Sequence, residues 1–108
     1  MNWTWTAWTP VPLAGRTASA CGLYRIRDTK TAALIYVGQG NVAFRLRVHL
    51  AKARTPAHRQ AAPFSGNLQA LWIELPGTAT LHLFEHENDL IAAQVLATGH
   101  SPAAQFLG

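Results

Sequence analysis

Glu87 is the residue whose surroundings ask most insistently for a chemical explanation. Leu83, Phe84, Leu90, Ile91 and Val95 recur at three- and four-residue steps, and Glu87 falls in the middle of that apolar stripe, while Glu85, Asn88 and Asp89 point elsewhere. A carboxylate on an apolar helix face is costly unless it is paired, protonated or bound to a cation. Two readings stand: a salt bridge to an Arg of a neighbouring helix, or a metal ligand at the edge of the core. Further upstream, Arg45 and His49 are four residues apart and Lys52 follows three later, so the three project along one side of a helix beside its own apolar stripe. Arg suits bidentate contact with phosphate, and His exchanges a proton near neutral pH. An exposed basic face would look the same. Tyr24 and Tyr36 complete the set. Strand alternation groups Tyr24 with Ile26 and Tyr36 with Leu34, which brings both hydroxyls to one side of a sheet if the register allows it; packing is the plain alternative.

These residues need particular elements to hold them. Gly22 to Arg27 alternates large residues and reads as a strand, Asp28-Thr29-Lys30 as a turn, and Ala33 to Gly38 as a second strand, so an antiparallel hairpin is the simplest arrangement. Asn41 is placed to cap a helix running from about Val42 to Arg54, with Val42, Leu46, Leu50 and Ala53 as its apolar stripe and Pro56 beyond its end. Thr55 to Asn67 reads as a loop with room for one helical turn. Leu68 to Leu75 is a third strand closed by Pro76-Gly77, and a last helix spans about Thr80 to Thr98, stopped by Gly99. The order predicts an α/β domain of the α+β type, a three-stranded antiparallel sheet flanked by helices over residues 22–108. Residues 1–21 form a Trp-rich arm (Trp3, Trp5, Trp8) that Pro10 and Pro12 are expected to keep extended, covering a sheet edge or another subunit, or stacking on unpaired bases.

The order and spacing match a known pattern. Gly22-Leu-Tyr24 followed by Tyr36-Val-Gly38 resembles the paired tripeptides of the GIY-YIG nuclease family. Arg45-Leu46 with His49-Leu50 is similar to that family's Arg-Leu-x-x-His-Leu stretch, and Glu87-Asn-Asp-Leu-Ile91 to its later metal-binding helix. The resemblance covers about Gly22 to Phe106. It implies an endonuclease that hydrolyses phosphodiester bonds with one Mg²⁺ or Mn²⁺ held by Glu87, water and phosphate oxygens filling the other positions. In that scheme Tyr24 is the general base or orients the attacking water, Arg45 neutralises charge on the transition state, and Tyr36 and His49 position the phosphate or share the proton transfer. Many members carry an Asn after a Pro-containing turn; here Gln105, after Pro102, stands in its place as a supporting residue.

Net charge is +4, and all nine Lys and Arg lie between Arg16 and Arg59, with Asp28 the one acid among them. A basic half of this kind suits a polyanion. Arg25, Arg27, Gln39, Arg47 and Lys52 are the expected nucleic-acid contacts, with DNA preferred over RNA as partner and a homodimer as one way to extend the footprint. Without an appended recognition domain, cleavage is expected to be single-strand-selective, structure-selective or weakly sequence-selective. A non-catalytic nucleic-acid-binding module or an interaction subunit on the same fold is the alternative. The lone Cys21, the absence of a signal-like segment and the absence of a long apolar run suggest a cytoplasmic protein with no membrane partner.

Overall fold

The structure, a computed structural model, describes residues 4–55 and 57–106. Trp3 and Pro56 lie outside the described residues. In chain order the elements are β1 (Thr9–Pro10), α1 (Val11–Thr17), β2 (Cys21–Asp28), β3 (Leu34–Asn41), α2 (Val42–Ala53), α3 (Ala61–Phe64), β4 (Leu68–Glu74) and α4 (Thr80–Thr98). The expected hairpin is β2–β3, antiparallel, with Tyr24 opposite Gly38 and Ile26 opposite Tyr36. Its turn is held by Asp28, whose Oδ1 accepts the backbone N–H groups of Lys30 and Thr31 at 2.8 and 2.9 Å.

Among the described residues the sheet has four strands, in the order β1-β4-β2-β3, rather than the three expected. The fourth comes from the arm. Thr9 and Pro10 pair with the outer edge of β4, and Thr6 extends the contact by donating its N–H to the Trp72 carbonyl and accepting the Trp72 N–H on its hydroxyl. A short edge strand ending in Pro leaves little for another chain to pair with.

The arm also departs from the extended path expected of it, because α1 begins directly after Pro10. Proline lacks only an N–H that the first helical turn leaves unpaired anyway, so Pro12 starts the helix rather than breaking it. Val11 and Ala14 of α1 are fully buried against the same core as Tyr24, Ile26, Val42, Leu46, Phe64, Ala70 and Trp72. On the opposite face of the sheet Leu23, Val37 and Ile73 are buried, and α4 packs there through Leu83.

The buried stripe expected on α4 is narrower than its sequence implies. Leu83 alone is buried, and His86, Glu87, Leu90, Ile91 and Gln94 are half-buried in line with it, whereas Phe84 and Val95 are exposed. Glu87 keeps its place on the inward strip.

Gly22, the first residue of the motif, is held to glycine by its neighbour strand. A Cβ there would lie 1.9 Å from the Ile73 carbonyl oxygen, an overlap that only movement of the β4 backbone relieves. Gly22→Ala is therefore expected to lower unfolding free energy by about 2 kcal/mol or more, read as a reduced urea midpoint. An unchanged midpoint would mean that the two strands do not approach as closely as described.

Candidate active site

A cleft of about 540 Å³ opens between the hairpin, the start of α2 and the start of α4. Tyr24, Tyr36, Arg45 and Glu87 all line it, as does Gln39. Each arrives on a different stretch of chain. Tyr24 and Tyr36 share one face of the sheet, as the pairing of Ile26 with Tyr36 requires, and their rings lie 6.2 Å apart and within 26° of parallel. Tyr24 reaches the cleft by passing over β3 at Gly38. A Cβ at Gly38 would sit 2.2 Å from both the Tyr24 hydroxyl and its ring carbon Cζ, so the last residue of the second tripeptide is glycine because the phenol occupies the space. Two residues on, Gly40 has φ +119°, a backbone shape that L side chains rarely adopt, just before Asn41 caps α2 by accepting the Phe44 N–H at 3.0 Å. The cap sets the direction of α2, and with it the reach of Arg45.

The electrostatics are those of a donor-rich pocket facing one carboxylate. The charge of Arg45 acts on both phenols. Burial nevertheless dominates at Tyr24 and raises its pKa well above the ordinary phenol value, against the opposing pull of Arg45 and with smaller upward pushes from Tyr36 and Glu87. The phenol is therefore protonated at neutral pH. Glu87 is half-buried, and its desolvation raises its pKa while the charge of Arg45 acts in the opposite direction. Arg45 influences Glu87 through charge alone, with no hydrogen bond between them. The internal ion pair that was one reading of this glutamate is thus not formed with Arg45.

His49 is not in the cleft. It is fully buried behind Tyr24, its Nε2 2.8 Å from the Tyr24 hydroxyl, its ring stacked on Phe64 at 4.6 Å and tilted against Tyr36 at 4.6 Å. The expectation that His49 itself positions phosphate gives way to a supporting place. Burial, followed by the charges of Lys52 and Arg45, lowers its pKa to about 3, so the ring is neutral.

Other expected contacts are engaged elsewhere. Lys52 points inward, its Nζ 3.4 Å from His49 Nδ1 and hydrogen-bonded to Gln60 Oε1. Arg47 donates to the Gly15 carbonyl at 3.1 Å and ties α1 to α2. Arg25 and Arg27 project from the face of β2 opposite Tyr24, where they lie against the Trp5 and Trp8 rings at 4.6 and 4.2 Å, and Arg27 also donates to Gln69. Of the possibilities for the arm, packing over the sheet and its edge is what Trp5 and Trp8 do. Gln105 lies on the outer edge of β3, where its amide bonds both backbone groups of Val37 at 2.8 and 2.9 Å, outside the cleft but next to Tyr36 in the chain.

Sequence reasoning missed Cys21, Thr78, Thr80 and Phe84 on the cleft wall, and above all Gln60. Gln60 sits in an irregular segment where no periodicity marks an inward residue; the spacing of Phe84 fits the apolar stripe, which conceals its exposed place on the cleft wall. Among the described residues no three His, Cys, Asp or Glu side chains stand together as a metal cluster, and no helix is long and apolar enough to cross a membrane. A scan against protein-family models finds no match, and no curated protein matches the chain.

The buried neutral imidazole has a measurable consequence. An unfolded His takes up its proton near pH 6.5, whereas His49 in the folded protein resists until about pH 3. Its contribution to stability is fully present above about pH 6.5 and is lost progressively as pH falls toward 3. Between pH 7 and pH 4 the protein should lose up to roughly 3 kcal/mol more unfolding free energy than His49→Gln does in parallel urea titrations. Equal losses would place the imidazole in contact with water.

Proposed function

We propose that the cleft hydrolyses phosphodiester bonds in nucleic acid as a GIY-YIG-type, divalent-metal-dependent endonuclease. The observation that carries this reading is the meeting of Tyr24, Tyr36, Arg45 and Glu87, residues far apart in the chain, on one small concave surface. A guanidinium and two phenols present hydrogen-bond donors to an anionic, tetrahedral group. Arg45 binds the non-bridging oxygens and opposes the charge that grows on them as the water oxygen adds to phosphorus and the ester oxygen departs. Tyr36, half-buried at the cleft, and Tyr24, kept protonated by burial, orient phosphate and water; Tyr24 is an orienting group rather than a ready base.

Glu87 fits a hard cation as a half-buried oxygen donor on the cleft wall, and among the described residues it is the one carboxylate that lines it. Mg²⁺ or Mn²⁺ would take Glu87 together with waters and substrate oxygens, since such ions favour oxygen ligands and keep part of their hydration. When bound, the ion supplies Lewis acidity at the phosphoryl oxygen. One carboxylate also suits an ion that binds firmly only with substrate.

Substrate preference follows from where the basic residues are spent. Arg25, Arg27 and Lys52 are turned to internal contacts, Arg47 is tied to the Gly15 carbonyl, and Arg45 is the one cation among the described residues that lines the cleft, so the cleft has few cations with which to follow a long duplex backbone. Short-footprint cleavage of DNA in single-stranded or branched form suits this surface better than recognition of a long site.

The test is a cleavage panel on single-stranded, duplex and branched DNA and on RNA, with Mg²⁺ or Mn²⁺. Glu87→Gln, Tyr24→Phe and Arg45→Ala should each lower the rate by at least about 100-fold while the far-ultraviolet dichroism is retained. Salt-dependent binding of DNA without cleavage under any of these conditions would replace the enzyme with a binding module.

A further inference from the structure

Behind Tyr24 runs a line of buried polar groups whose donor and acceptor roles are set from its far end. The Ala104 carbonyl can only accept. Gln60 Nε2 lies 2.8 Å from it and donates, which turns Gln60 Oε1 toward Lys52 as an acceptor. Lys52, an ammonium, has donors and no lone pair. Its Nζ lies 3.4 Å from His49 Nδ1, so that nitrogen must be the acceptor, and in a neutral ring the proton then sits on Nε2. Nε2, 2.8 Å from the Tyr24 oxygen, consequently donates to it. On the cleft side the charge of Arg45 acts on the same phenol. The phenol oxygen therefore accepts from His49 on its buried side, and its own O–H is left to turn toward the cleft that Tyr24 lines.

We infer that Lys52 and Gln60 are positioning residues that hold His49 as its Nε2–H tautomer, so that Tyr24 presents its proton to the bound substrate. The opposite tautomer would set an Nδ1–H against the Lys52 ammonium, donor against donor, in a half-buried site. The consequence for the cleft is chemical. It offers ligand the guanidinium of Arg45 and an outward O–H from Tyr24, a surface that selects anionic oxygen and turns away a neutral hydrogen-bond donor. This inference deepens the nuclease reading, and its kinetic part rests on that reading; its structural part does not.

The experiment uses the full chain with ¹⁵N-labelled histidine and long-range ¹H–¹⁵N correlation spectra. The protein as it stands should show His49 protonated at Nε2 and bare at Nδ1. Lys52→Met and, independently, Gln60→Leu should shift part or all of that proton to Nδ1, and Lys52→Arg should restore it. With Mg²⁺ and single-stranded DNA, the first two variants should lose on the order of 10- to 100-fold in kcat at unchanged KM, recovered by Lys52→Arg. A proton found on Nδ1 in the unsubstituted protein overturns the inference whatever the variants do. A folded Lys52→Met whose tautomer is unchanged overturns it as well. If the unsubstituted protein cleaves nothing while His49 shows the Nε2–H form, the nuclease reading fails and the tautomer assignment stands.

Discussion

A phenol ring crosses the neighbouring strand where that strand has no side chain, and the cleft depends on this passage. The Tyr24 hydroxyl lies where a Cβ on Gly38 would be. Remove the space and Tyr24 cannot simultaneously reach Arg45 in front and His49 behind. The hairpin register that puts Gly38 opposite Tyr24 also puts Tyr36 opposite Ile26, so one pairing decides both phenols. Shifting β3 by one residue against β2 would turn Tyr36 to the α4 face while Tyr24 stayed, separating the two rings. On the other side of β2, Gly22 meets the β4 backbone under a similar restriction. The glycines that bracket the two tyrosines are therefore consequences of close approach, and the tyrosines are consequences of what the glycines leave open.

Placing a hydroxyl, an imidazole and a carboxamide out of water is costly unless each finds a partner. The site meets that condition by continuity. Tyr24, His49, Lys52, Gln60 and the Ala104 carbonyl form one line, and among the described residues no buried side-chain nitrogen or oxygen is left without a hydrogen bond. The stacked rings of His49 and Phe64 then pack the same line into the apolar core. Stability and site geometry are consequently supplied by the same contacts.

How much of this is legible in the sequence depends on whether a residue's role is local. The hairpin, the Asn41 cap, the bounds of α4 and the inward place of Glu87 all follow from alternation, capping chemistry and helical steps within short windows. Helix α1 does not, because seven residues are too few to show a period and its prolines resemble breakers until they are seen to occupy the first turn. The fate of the basic residues is illegible for another reason. Charge counts locate Arg25, Arg27, Arg47 and Lys52 in the chain but carry no information about whether an indole, a carbonyl or an amide will meet them. His49 shows the same limit. Four-residue spacing from Arg45 puts both on one helix flank, yet one ends half-exposed in the cleft and the other wholly inside, a difference set by Phe64 and Gln60 from a separate segment.

Residues 103–105 run beside β3, with Ala103 and Ala104 donating to the carbonyls of Leu34 and Ile35 before Gln105 clasps Val37. This segment also supplies the carbonyl on which the polar line ends. It follows every other part of the site in chain order. A polypeptide growing from the ribosome therefore has its hairpin, both phenols and the guanidinium well before it has the stretch that settles their hydrogen bonds. The pocket is completed by a stretch later in the chain than any of its side chains, so a half-made chain carries both phenols and the guanidinium without the hydrogen bonds that order them in the folded protein.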